Sequence, residues 1–336
     1  MTLPDLPGVL GAGEVRATAE WIASLQLPTG MIPWFPGGHC DPWNHVETAM
    51  ALDVAGLHAA AAHAYRWLAD IQRPDGSWWN YYLPDGSVEE AKLDTNVCAY
   101  LATGLWHHWL CTADRAVIDE MWPTLRAALD WVLSMRRHDG TILWARNAED
   151  APWDYALLTG SASIAHALRC AVHLAAVVGE RHRAWSATAD VLAERVANAP
   201  EAFEPKERWA MDWYYPVLTS TLTGEPAKAR LAEGWETFAM EGKGIRCVSD
   251  EDWITASETA ECSIAHSVIG DRSTATDLLA WTRSHRRADG AYWTGVVYPT
   301  EEHFPADEVS AYTGAAVVLA ADAIARASPA AGVFCT

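Results

Sequence analysis

Residues 67–79 read WLADIQRPDGSWW, and the same phrase returns three more times along the chain. It stands at 21–34 as WIASLQLPTGMIPW, at 131–144 as WVLSMRRHDGTILW and at 281–293 as WTRSHRRADGAYW. Each copy has a Trp at helical phase, a Gly nine residues later, and a further aromatic beyond it. Such self-similarity at long period marks a repeat architecture. Gly accepts a left-handed conformation at little cost, so the spacing predicts a helix that ends at this glycine. Two degenerate copies, VLAERVANAPEAF at 191–203 and WETFAMEGKGIRCV at 235–248, complete a series of six.

Between these segments lie six others that are rich in small residues and apolar nearly all round: 46–57, 95–110, 156–179, 214–224, 254–270 and 309–324. A helix without a clear polar face is a buried one. The W…G segments carry charges at helical spacing and belong outside. Six outer and six inner helices in alternation predict an all-α fold, an (α/α)6 toroid of six helical hairpins. Residues 1–328 then form one domain and 329–336 a C-terminal tail, with strands limited to short aromatic pieces after the turns.

Composition narrows the function. The chain has 336 residues, half of them hydrophobic, and a formal net charge of −20. That balance argues against a nucleic-acid partner, whose phosphates demand a basic face, and against anionic membrane surfaces. No uninterrupted apolar run of about 18 residues suggests a membrane span. The seven cysteines are scattered without a CxxC, and the first residues lack the pattern of a secretory signal, so a cytoplasmic, reduced protein is expected. There is no HExxH, no Cys/His ligand spacing and no Gly-rich phosphate loop, so no metal and no cofactor is expected.

An Asp recurs just before each inner segment: Asp41, Asp94, Asp154, Asp212, the Asp250–Asp252 run and Asp307. Asp at such positions caps helix N-termini, so most of these are expected to be caps. One or two facing a central cavity would instead serve chemistry. Trp43, Trp153, Trp213, Tyr214, Tyr215, Trp253, Tyr298 and Phe304 accompany them. Aromatic faces beside carboxylates suit a sugar ring and an oxocarbenium-like transition state. The same aromatics would also steady an isoprenoid carbocation.

Residues 92–110, 122–146 and 161–179 resemble the middle of the bacterial glucoamylase-type six-hairpin glycosidases. The shared features are an Asp opening an inner helix (Asp94), the WPTLRAALDW outer helix at 122–131, and the DG…W-x-R stretch ending at Arg146. The resemblance implies carboxylate acid/base catalysis on a glycosidic or sugar-derived substrate. In that family a Glu after the Trp of W-E-x-R is the general acid; here the position is Ala145, which leaves Glu149 or Asp154 to take over. The second carboxylate is implied near the fifth inner helix, at Asp252 or Glu258.

More weakly, the W-x4-Q-x3-G stretches resemble squalene cyclase and prenyltransferase repeats, with Leu93-Asp94-Thr95 similar to the end of a DxDDT motif. Leu93 and Ala91 replace two of its acids. The candidate catalytic carboxylates are therefore Asp94, Asp154, Asp252 and Glu258. The candidate substrate-binding residues are Trp43, His45, Lys92, Arg146, Trp213, Tyr214, Trp253 and His303. The expected partner is a small-molecule substrate, sugar or isoprenoid. An isoprenoid cyclase or prenyltransferase is the competing enzyme class, and an inactive glycan- or partner-binding toroid is the alternative from outside enzymology.

Overall fold

The computed structural model describes residues 2–336. The protein is mostly helical, with small sheets in the connections. In chain order the helices are α1 (Ala12–Leu25), α2 (Pro42–Val54), α3 (His58–Ile71), α4 (Thr95–Ala99), α5 (Leu101–Thr112), α6 (Arg115–Ser134) and α7 (Leu158–Val178). They continue as α8 (Arg183–Asn198), α9 (Ala210–Leu218), α10 (Gly224–Phe238), α11 (Ala256–Val268), α12 (Arg272–Trp281) and α13 (Ala311–Ala325).

The apolar segments form the buried set. Every residue of α2 is buried, and α7, α11 and α13 are buried over most of their length. Their contacts run in a cycle: α2 packs on α5, α5 on α7, α7 on α9, α9 on α11, α11 on α13, and α13 returns to α2. The amphipathic helices back this inner set, α1 and α12 against α13, α3 against α2, α6 against α4, α8 against α7 and α10 against α9. By length and apolarity alone α7 meets the requirement for a membrane span, although Gly160 and Arg169 interrupt its apolar run. Its apolarity is used in packing, since two thirds of its most apolar window is buried.

The repeated phrase has a structural reason that differs from the expected helix cap. α1 stops at Leu25 and α3 at Ile71, each five residues before the glycine. Gly76 instead sits in the following turn, with φ +93° and its N–H donating to Arg73 O. A Cβ there would run into the carbonyl of Ala127 on α6. Gly30 meets α3 in the same way, Gly140 meets α8, and Gly290 meets Ala17 on α1. The last copy thus touches the first helix of the chain. The Gln of the phrase makes the same step: Gln26 Nε2 donates to Gly30 O and to Ala60 O on α3, and Gln72 Nε2 to Gly76 O and Thr124 O on α6. Arg136 and Arg286 occupy this place in the other two copies, reaching Thr188 on α8 and Glu14 on α1.

Strands occupy the loops that lead into the buried helices. β1 (Tyr81–Tyr82) pairs with β2 (Val88–Glu90), and β3 (Leu93–Asp94) with β4 (Ala145–Arg146). β5 (Ala239–Met240), β6 (Gly244–Arg246), β7 (Trp253–Thr255), β8 (Gly295–Val297) and β9 (Glu302–His303) form one antiparallel sheet in that order. Residues 329–336, expected as a tail, include a 3-10 turn at Val333–Cys335 whose Val333 and Phe334 are buried. His166 Nε2–H donates to Val333 O at 3.2 Å, and Ser220 Oγ to Phe334 O at 2.7 Å. All seven cysteines are free.

Candidate active site

The first turns of α2, α4, α9, α11 and α13 meet at a cavity of about 400 Å³. Three carboxylates line it: Asp41, Asp94 and Glu258. Asp41 is the N-cap of α2, accepting from Asn44 N–H at 2.9 Å. Burial pushes its carboxyl above the ordinary Asp value, against the pull of the Asn44 hydrogen bonds. Asp94 caps α4 by accepting from the N–H groups of Asn96 and Val97, and its other oxygen accepts from Trp144 Nε1. Burial raises this carboxyl too, opposed by the Lys92 ammonium and those donors. Glu258 lies in the first turn of α11 and accepts from the hydroxyls of Thr255 and Ser257 and from the Cys247 thiol.

The walls are aromatic. Trp43 packs 4.9 Å from the Tyr100 ring and 5.4 Å from Tyr312, and Trp34 lies 6.2 Å from Tyr312. On the other side Trp253 meets Phe304 edge-on at 5.3 Å and donates Nε1–H to Phe304 O. Phe304 is 53% exposed, so this aromatic pair extends from the cavity to the surface. Among the polar atoms lining the cavity, Trp34 Nε1, Trp43 Nε1, Asn44 Oδ1 and Asn96 Oδ1 are buried without a protein partner. Buried donors and acceptors are normally satisfied, so two unpaired N–H groups and two unpaired carbonyls beside one cavity are unusual. Lys92 Nζ stands 5.0 Å over the Trp144 ring at the rim.

The sequence-derived candidates separate clearly. Asp94, Glu258, Trp43, Lys92 and Trp253 come together here. Asp154 does not, because it is exposed in the loop before α7, whose N-cap is Leu157. Asp252 is exposed as well and pairs with Arg246 at 2.8 Å, outside the cavity. Arg146 pairs with Asp150 at 2.9 Å, and its neighbour Ala145 is buried opposite Asp94 in the β3–β4 ladder. His45 is a packing residue two positions after Trp43 on α2, its Nδ1 accepting from Ile32 N–H and its Nε2–H donating to Ala64 O. Burial takes its pKa down to about 4. Trp213 stacks on Phe238 and donates to Arg230 O, Tyr214 is fully buried beneath the cavity, and His303 stacks on Trp293 at 4.1 Å.

Of the recurring acids, Asp41 and Asp94 are N-caps. Asp212 sits within the first turn of α9, and α11 and α13 are entered through Thr255 and Ser310. A larger groove of about 510 Å³ between α10 and α12 is lined by Trp235, Lys228 and Asp271 and holds no facing carboxylates.

Carboxylates, unpaired hydrogen-bonding groups and stacking faces in one cavity describe a site for a sugar. Comparison with known proteins agrees. The chain is 47% identical over 332 residues to the MMP endo-(1,4)-3-O-methyl-alpha-D-mannosidase of Mycolicibacterium hassiacum, covering 99% of this chain and 92% of that protein. Among solved structures, a glycosidase in complex with glucose superposes with a TM-score of 0.72 at 13% identity, covering 96% of each chain. A D-mannose isomerase gives a TM-score of 0.68 at 12% identity over 96% of this chain and 99% of that one. At such identities the structural likeness speaks to the fold alone. No family model matches the chain.

The protein is a glycoside hydrolase-like enzyme. Within that class, the chain belongs to the family of the MMP endo-(1,4)-3-O-methyl-alpha-D-mannosidase. The isoprenoid alternative finds no support in these relatives.

Proposed function

We propose that this enzyme hydrolyses internal α-(1→4) bonds of a 3-O-methylmannose polymer, with the chain folded as an (α/α)6 toroid around the catalytic cavity. The cycle of contacts from α2 round to α13 supports the toroid. The observation that carries the catalytic reading is the presence of a buried Asp41, its carboxyl raised by burial, together with Glu258 in one cavity walled by Trp43, Tyr312 and Trp253.

Glycoside hydrolysis needs one carboxylic acid to protonate the departing oxygen and a second carboxylate to act on the anomeric side. Asp41 is the proton donor in this reading, since burial raises its carboxyl above the ordinary Asp value, the direction a general acid needs. Glu258 is the carboxylate partner, aimed by the Thr255 and Ser257 hydroxyls. Asp94 receives three N–H groups that hold its carboxyl in place and has Lys92 nearby, so it is suited to orienting sugar hydroxyls. Trp43 and Trp253 offer stacking faces, and Met211 and Val97 add aliphatic surface against which an O-methyl group loses no hydrogen bond.

The experiment is digestion of a (1→4)-linked 3-O-methyl-α-mannose oligosaccharide with product lengths read by mass spectrometry. Internal cleavage gives a spread of intermediate lengths from the first time points. Release of single residues from one end, or no cleavage, refutes the endo reading.

A further inference from the structure

Two of the buried helices carry one carboxyl in the cavity and a second beneath it. On α2 these are Asp41 and Glu47; on α11 they are Glu258 and Glu261. Glu47 and Glu261 are 3% and 2% exposed, and among the described residues neither has a cationic partner within ion-pair distance. Tyrosines surround them instead. Tyr100 donates its hydroxyl to Glu47 at 2.6 Å, and Tyr214 and Tyr312 donate to the two oxygens of Glu261. Tyr215, beside both acids, has a fully buried hydroxyl with no hydrogen-bond partner.

The groups facing the pair are Asp41 from α2, Tyr100 between α4 and α5, Tyr214 and Tyr215 from α9, Glu258 and Cys262 from α11, and Tyr312 from α13; α7 brings only the uncharged Ser163. All are acids or neutral. Two unpaired anions in such a place would be prohibitively costly, so at least one proton stays bound. Burial, together with the charge of the other acid, pushes Glu261 well above its ordinary value. Burial and Asp41 bring Glu47 up to about 7 despite the Tyr100 bond.

We propose that Glu47 and Glu261 are a proton-holding pair of positioning residues, which anchor the aromatic wall through their tyrosines. Tyr312 lines the cavity while bonded to Glu261, and Trp43 rests on both Tyr100 and Tyr312, so the wall is held from below.

The test is infrared difference spectroscopy across a pH titration of the natural protein, following the C=O stretch of protonated carboxyls, a signature that a merely structural role would not produce. A buried carboxyl band that titrates near neutral pH and is lost in Glu47→Gln, with a further band lost in Glu261→Gln, supports the pair. Full carboxylate absorption at neutral pH in the natural protein overturns it. The readout needs no substrate, so inactivity on the oligosaccharide would defeat the proposed function and leave this test standing.

Discussion

Replacing Gly290 by alanine tests whether the last repeat closes onto the first helix. Gly290 has φ +92°, and a Cβ there would lie 2.7 Å from the carbonyl carbon and oxygen of Ala17 and 3.0 Å from Thr18 N. The backbone conformation alone costs an L-residue about 1–2 kcal/mol. Pressing a methyl into packed backbone adds about 1–3 kcal/mol, since neither chain segment yields like a flexible side chain. The total is about 2–5 kcal/mol. With an unfolding entropy of about 2.1 cal/mol/K per residue, the 336 residues give about 0.7 kcal/mol per degree, hence a Tm lower by about 3–7 °C. The control is Gly242→Ala, where φ is +72° and nothing lies within 4 Å of the added Cβ. It carries only the conformational cost, a fall of about 1–3 °C. Calorimetry on both variants decides the matter. Equal falls would show that the Gly290–α1 contact contributes nothing, and the closure argument would fail.

Other consequences follow from the buried polar groups. Burial lowers the pKa of His45, His107 and His285 to about 4 and that of His166 to about 3. Between these values and about 6.5 the unfolded chain binds more protons, so stability rises with pH through that window and is complete above it. The imidazoles alone therefore call for an uptake of up to about four protons on unfolding between pH 7 and pH 4, while the raised carboxyls of Glu47 and Glu261 release protons over the same range. NMR titration of the imidazole resonances in the folded protein isolates the first effect, and resonances that titrate near 6.5 would contradict the burial of these imidazoles. Asp53, fully buried, accepts from His108 at 2.9 Å and His58 at 2.9 Å, and Asp53→Asn is expected to cost about 3–5 kcal/mol by breaking a buried charge network. Removing residues 329–336 uncovers the sites of Val333 and Phe334 and should cost about 3–6 kcal/mol, read as a lower Tm with the cavity unaltered.

Much of the helical order was legible because the chain repeats itself. Apolar segments around Val46, Ala162 and Val317 announce helices buried on every side, and the Trp–Gly phrase marks the partners that cover them. The role of the glycine was not legible from one copy. It is set by the neighbouring helix, such as Ala127 against Gly76, and that contact exists only in three dimensions.

The site was legible in part for a related reason. Asp94, Glu258, Trp43, Lys92 and Trp253 sit at or next to helix starts, where the periodicity fixes position. Asp154 and Asp252 lie in loops, whose course is decided by the Arg146–Asp150 turn and the β6–β7 hairpin rather than by any local pattern. Asp41 was visible as one of the entrance acids, though nothing along the chain separates a cap in the cavity from a cap elsewhere. The signal for Glu47 and Glu261 was present: each is an acid inside a segment apolar nearly all round, as are Asp53 and Glu258 beside them. A charge so placed is costly unless it serves a purpose.

The proposed roles of Asp41 and Glu258 in breaking the glycosidic bond are tested by the rate at which Asp41→Asn and Glu258→Gln cleave a (1→4)-linked 3-O-methyl-α-mannose oligosaccharide, each variant checked for an unchanged fold by circular dichroism. Each isosteric change should lower kcat by about 10²–10⁴-fold, the ordinary size of a lost acid or base, with KM little altered. Activity within a few-fold of the natural protein in either variant would contradict those roles.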